Sequence, residues 1–288
     1  MPGYLPFAGA LELPAYVCDN CGFWQRYFER PPSCPLCLDG RHVVPQTGWQ
    51  FWSESEAQER FPCHWREEEP GVWRFWNHPV NGIGANAYLI VGEGGNLVFE
   101  GGTGFSQAAL DHMASLGGVQ VLSASHPHSY GALWQIQRRF DPELALHPGD
   151  LAWTNAVQVT WPFDEHLTPL PGLTLYLTAG HFAGHAVLYD EKRRILFCGD
   201  ALKFDVDPED PRRAVAISAH KSFVRGVPLT PSELRRYRDV FAPLDFVQTW
   251  TPFEQARNSG RAEALALIDA MLATRPPAAP VPLEELEV

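Results

Sequence analysis

Four of the chain's six cysteines fall in two short turns near one end, Cys18-Asp-Asn-Cys21 and Cys34-Pro-Leu-Cys37, with twelve residues between them. Each Cys-x-x-Cys turn aims two sulfurs at one point, so two such turns facing each other make a tetrahedral thiolate site for zinc or iron. This spacing predicts a small metal-closed knuckle over residues 1–45, a segment too short to bury a core of its own. A structural zinc suits it, and iron in the same four sulfurs would carry one electron. In a chain of 288 residues, paired cysteines read as ligands more readily than as a disulfide framework. Cys63 and Cys198 read as buried thiols.

Residues 46–80 follow, with Trp49, Trp52, Trp65, Trp73 and Trp76 set around the acidic run Glu67-Glu68-Glu69. Large rings commonly cement one element onto another, so this stretch reads as the seam between the knuckle and a main domain at 81–275. Within that domain, Ala87–Val91 and Leu97–Phe99 read as strands, and Ser106 caps a helix that Gly117-Gly118 ends. A strand over Val119–Ser125, a helix over 132–140 and a short strand at 144–146 come next. Leu173–Leu177, Ala186–Tyr189 and Ile195–Cys198 are further strands, the last two around a charged hairpin turn. Helices at 231–241 and 261–274 flank a strand at 246–249. Strands in consecutive runs argue for an α+β class rather than a doubly wound sheet. Residues 276–288, rich in proline, read as an extended tail.

The net charge of −12, with Lys and Arg in short scattered groups, disfavours a nucleic-acid partner, because backbone binding needs concentrated positive charge. No window approaches the roughly 18 apolar residues of a membrane span. The start of the chain has no basic region before its apolar residues, so the expected location is the cytoplasm and the expected partner a small-molecule substrate. Oligomeric state is not legible.

His126-Pro-His128 follows the apolar run ending at Ser125. On an extended segment residues i and i+2 point to one side, so both imidazoles can reach one ion. Downstream lie Gly180-His-Phe-Ala-Gly-His185 and, after a hairpin, Cys198-Gly-Asp200.

This ordered set resembles the metallo-β-lactamase superfamily from about Asn86 to the last helix. The resemblance implies an αβ/βα four-layer sandwich, here with a small N-terminal four-cysteine metal knuckle. Glu100 stands where the family has an early aspartate. His126, His128 and His181 match its first-metal histidines, and Asp200 matches its Gly-Asp carboxylate. Tyr130-Gly131 replaces the family's Asp-His, and Thr249-Trp250 stands where a late histidine belongs, so the groups that hold a second metal are missing. What remains implies one zinc or iron on His126, His128 and His181, with Asp200 as fourth ligand or water-orienting group. Tyr130 would donate to a developing oxyanion, and His220 is a candidate extra ligand. His185 reads as a supporting group, and His112, His147 and His166 as packing residues. The knuckle, in turn, resembles the rubredoxin-like knuckle of rubrerythrins in Cys-x-x-Cys-Gly-Phe, the twelve-residue gap and Cys-Pro-x-Cys, over about 25 residues. Leu38 stands where a glycine commonly follows the last cysteine.

Three functions compete. The first is a single-metal hydrolase of a small-molecule ester, thioester, lactone or amide. The second is a mononuclear non-haem iron oxygenase, or redox protein, using His126, His181 and Asp200. The third is a non-catalytic binding module with a pocket closed by Tyr130 and Trp250.

Overall fold

A computed structural model describes residues 12–274, 277 and 279–288. The chain divides into two compact units, Met1–Phe163 and Asp164–Val288, each with its own apolar core.

The first unit begins with the knuckle. Strands β1 (Ala15–Cys18) and β2 (Trp24–Arg26) pair antiparallel, helix α1 (Pro35–Leu38) carries the second cysteine turn, and β3 (Phe51–Ser53) pairs with the other side of β1. Ser53 then caps α2 (Glu54–Arg60) in a reciprocal capping box with Glu56. Strands β4 (Cys63–Glu69) and β5 (Val72–Asn77) open a six-stranded sheet that continues through β6 (Ala87–Gly92) and β7 (Gly95–Phe99) as an antiparallel meander. Residues 46–80, expected as a joining seam, thus give one strand to the knuckle sheet and two to the large sheet.

Helix α3 (Gln107–Ser115) crosses over to β8 (Val121–Ser123), and α4 (Leu133–Phe140) to β9 (Glu143–Ala145), so β7, β8 and β9 run parallel. The expected cap is present, with Ala109 N donating to Ser106 Oγ. Strand β8 is buried throughout, as a central parallel strand covered on both faces requires. Leu110 and Met113 of α3 and Leu133 and Ile136 of α4 share one core with Leu89, Val98 and Leu122 of the sheet. Trp24 of the knuckle joins that core, its ring edge-on to Trp134 at 5.2 Å and its Nε1 donating to Thr103 O at 2.9 Å.

The second unit repeats the scheme. Strands β10 (His166–Leu170), β11 (Leu173–Leu177), β12 (Ala186–Asp190) and β13 (Ile195–Phe197) form an antiparallel meander. A small sheet of β14 (Lys203–Val206) and β15 (Ala214–Ser218) precedes α5 (Pro231–Phe241), which crosses over to β16 (Gln248–Trp250), parallel to β13. Strand β17 (Gln255–Ala256) closes the sheet edge, and α6 (Arg261–Ala273) packs on α5. Tyr237 and Phe241 of α5 are fully buried, each contributing about 1.5–3 kcal/mol of burial.

The tail is more organised than a free extended segment. Residues Val281–Pro282 form β18, which pairs with Ala216 and Ile217, while Leu283 and Leu286 pack on the second core. Residues 275, 276 and 278 lie outside the described part. No helix among the described residues is long and apolar enough to cross a membrane.

Candidate metal centres

The four cysteines of the knuckle converge. Cys18 ends β1, Gly22 N donates to Cys18 O at 2.9 Å, and Gly22 takes the left-handed φ of +80° that closes this turn. Cys34 is the N-cap of α1, and Leu38 N returns to its carbonyl at 3.2 Å. All four thiols are buried and lie within 4.8 Å of one another, with Cys18–Cys37 at 3.9 Å and Cys21–Cys34 at 3.6 Å. A disulfide needs about 2.05 Å between sulfurs. A tetrahedron with metal–sulfur bonds of about 2.3 Å has edges of about 3.8 Å, so the thiols already stand at the corners of a metal site. Burial pushes the Cys21 thiol well up, whereas hydrogen bonds from Cys18, Cys21 and Cys34, with His42 adding, hold Cys37 far down. Asn20 Nδ2 donates to Cys37 Sγ at 3.3 Å.

Further metal-type donors are His126 and His128 in the first unit and His181 and Asp200 in the second, three imidazoles and a carboxylate of the kinds that bind zinc or iron.

In the first unit, His126 is extended, but Pro127–Ser129 is a single 3₁₀ turn. The two imidazoles therefore meet through a tight turn, not through strand alternation; Pro127 fixes the φ that starts it. Their ring centroids are 5.3 Å apart and nearly perpendicular. Ser125 Oγ lies 2.8 Å from His126 Nδ1 and orients that ring, presenting Nε2 as the ligand atom. Glu100, the residue after β7, is buried, and its carboxylate accepts Ser125 N at 2.9 Å. It acts by fixing the backbone beside His126.

The turn is clamped from behind by glycines. Gly101 N donates to Ser129 O at 2.7 Å and Ala132 N donates to Gly101 O at 3.0 Å. A Cβ on Gly101 would stand 2.0 Å from Tyr130 O, and one on Gly131 would stand 1.7 Å from Gly102 O. No side chain fits at 131. Tyr130 is buried in the first core, and burial, with Asp150 and Glu100 adding, pushes its phenol well above the ordinary range. It stays a protonated donor.

In the second unit, His181 sits in a loop bent by Ala179 and Gly180, both at left-handed φ, with Tyr237 Oη donating to Ala179 O at 3.3 Å. His181 Nδ1 donates to Lys221 O at 2.8 Å, which again turns Nε2 outward as the ligand atom, and that atom is 3.6 Å from Asp200 Oδ2. Burial pushes the Asp200 carboxyl up to about 7, with Glu254 adding and Lys203 opposing. A bound cation would pull it back down. Asp200 N donates to His185 Nε2 at 3.1 Å, so the proton of His185 is on Nδ1, facing Thr178 Oγ1 at 2.7 Å. His185 is fully buried and its pKa is pushed far down by burial, with His181 adding; it holds Asp200 in place as a neutral group.

His220 is not grouped with these donors; its ring lies against Phe223 at 5.4 Å. Trp250 is fully buried edge-on to Phe197 at 5.5 Å, and its Nε1 donates to Gln248. His42, which no spacing rule had singled out, hydrogen-bonds Cys37 and places its ring 5.4 Å from that of His128.

The sequence profile of the metallo-beta-lactamase superfamily matches residues 80–276. YmaE, an uncharacterized protein of Bacillus subtilis (strain 168), is 27% identical over 273 residues, which is 90% of this chain and 97% of YmaE. Among solved structures, the metallo-beta-lactamase DIM-1 matches with a TM-score of 0.53 at 9% identity, over 73% of this chain and 99% of that one. FIM-1 from Pseudomonas aeruginosa, in its mono-zinc form, matches with a TM-score of 0.52 at 13% identity, over 74% and 95%. These structural likenesses are of fold, and they are what the sandwich reading of the sequence requires.

Proposed function

For a chain that belongs to the metallo-beta-lactamase superfamily, and whose Gly131 and Trp250 leave no metal ligand at two second-metal positions, we propose a single-metal hydrolase acting on a small-molecule ester, thioester, lactone or amide. The observation that carries this reading is the pairing of histidines oriented as ligands with a turn that cannot accept a side chain at 131. His126, His128 and His181 are the proposed ligands of one zinc, with Asp200 as fourth ligand or as the group that orients the attacking water. Bound there, zinc supplies Lewis acidity that lowers the pKa of a coordinated water to about 7. The protein's own contribution is orientation and proton placement. Ser125 and the Lys221 carbonyl hold two imidazoles in their ligand tautomer. Neutral His185 holds the Asp200 backbone, and Tyr130, kept protonated, donates to the oxyanion that forms as the carbonyl is attacked. The mono-zinc form of FIM-1 supports a one-metal arrangement on this fold.

The knuckle is proposed to hold a structural zinc, in the cytoplasm, where reduced thiols persist. Element-resolved metal content of the wild type, His126→Ala and Cys34→Ala, together with an ester and thioester panel, tests the whole reading. One zinc lost in each variant, with hydrolysis lost in His126→Ala, is the expected result. Hydrolysis unchanged by His126→Ala overturns it. The contact between His42 and both donor sets favours a second reading, an iron protein in which the knuckle passes electrons; iron in both sites of anaerobically prepared protein selects it.

A further inference from the structure

The knuckle and the His126–His128 turn, both in the first unit, meet through one side chain. His42 follows α1 in the loop that leaves Cys37. Its Nδ1 accepts from Val43 N at 2.8 Å, and its side chain interacts with that of Cys37. Asn20 fixes the same loop: its amide nitrogen donates to Cys37 Sγ at 3.3 Å and to Val43 O at 2.8 Å, and lies 3.5 Å from His42 Nδ1. The other face of this small network is the His42 ring, set against His128 with centroids 5.4 Å apart and planes tilted by 58°. His126 and His181 are oriented by hydrogen bonds that their Nδ1 atoms donate to Ser125 Oγ and Lys221 O, and the His42 ring of the knuckle lies against His128.

We propose that His42 is a positioning residue that couples the two metal centres, so that filling the knuckle tightens metal binding at the histidine site. A metal on Cys37 fixes the sulfur, the sulfur fixes His42, and His42 fixes the plane of His128. The inference rests on the reading that both donor sets hold metal. Coupling of this kind is reciprocal: occupancy of the histidine site must tighten the knuckle by the same factor. Partners of this kind are typically worth about 10–100-fold in metal affinity.

Cobalt titration of the full-length metal-free protein tests it, because thiolate-to-cobalt charge transfer reports the knuckle and ligand-field absorption in His126→Ala difference spectra reports the histidine site. The expected result is that His42→Ala weakens cobalt at the histidine site about tenfold and shifts its ligand-field bands, with the thiolate bands still filling to one equivalent. Cys34→Ala should weaken the histidine site by a similar factor alone and by nothing further in the His42→Ala background. His42→Phe, which keeps the ring but not the N–H, should restore the band position without restoring dependence on the knuckle. Unchanged affinity in His42→Ala, or independent effects of His42→Ala and Cys34→Ala, overturns the coupling. A wild type that takes cobalt at the thiolates alone overturns the hydrolase reading as well, so the two failures are separable.

Discussion

The two donor sets differ in what holds their atoms in place. Cys18, Cys21, Cys34 and Cys37 come from one short stretch whose three-stranded sheet has strands of three or four residues. Their sulfurs face one another, and a metal ion is the natural thing to hold them there. The histidines and the carboxylate are spread from residue 126 to residue 200, and each is fixed by protein: a serine, a backbone carbonyl, a glycine clamp and a neutral histidine. The first set is therefore expected to depend on its metal for structure, and the second to keep its structure when metal is removed.

The sharpest way to break that comparison is to strip the knuckle. In Cys34→Ser, or after chelation, amides of residues 15–26 and 51–53 should lose hydrogen-exchange protection while those of α3 and β8 keep it. Zinc binding to such sites carries on the order of 10 kcal/mol of folding free energy, so this is the largest effect expected. Persisting protection in the stripped knuckle would erase the distinction between the two sets. Next in size is His126→Ala, which should lower hydrolysis by at least about 10³-fold, or about 4 kcal/mol of barrier. Urea unfolding of the same variant should move by only about 1 kcal/mol, because Glu100 and the glycine clamp still hold the turn.

The same difference explains what the sequence made legible. Spacing alone exposes the cysteine set, since both turns are local. The long helices and the central strands are legible from periodicity, and α5 spans Pro231–Phe241 as its pattern predicts. Strand β10 escaped because Pro169 interrupts it, and β4 because Glu67-Glu68-Glu69 reads as a solvated run. In fact Glu68 is buried between Arg66 and Arg74, which pair with it at 2.7 and 2.8 Å. The histidine pair was legible, but its reason was not: Pro127 starts a 3₁₀ turn where strand alternation was expected. No informative spacing singles out His42, and its contacts with Cys37 and His128 exist only after folding.

The glycine clamp gives the third prediction. Gly131 adopts φ +37°, and a Cβ there would press on Gly102 O. Gly131→Ala should therefore destabilise the first unit by about 3 kcal/mol, read from the urea midpoint, through backbone strain and displacement of the 126–131 turn. Gly131→His should likewise destabilise it and bind no metal beyond what the wild type holds. If Gly131→Ala is neutral, the clamp is not what keeps the histidine turn in place without metal, and the contrast with the knuckle weakens.

The smallest effect separates chemistry from packing inside one residue. The Tyr130 ring belongs to the first core and its hydroxyl is the proposed donor, kept protonated by burial. Tyr130→Phe keeps the ring, so the urea midpoint should hold to within about 0.5 kcal/mol. Loss of the hydroxyl should lower kcat about tenfold with KM unchanged, because a donor to a developing oxyanion strengthens only as charge develops, and tenfold corresponds to about 1.4 kcal/mol. An unchanged kcat would make Tyr130 a core residue alone, and the charge that develops on the substrate oxygen would then fall to the metal site without help from the turn that carries it.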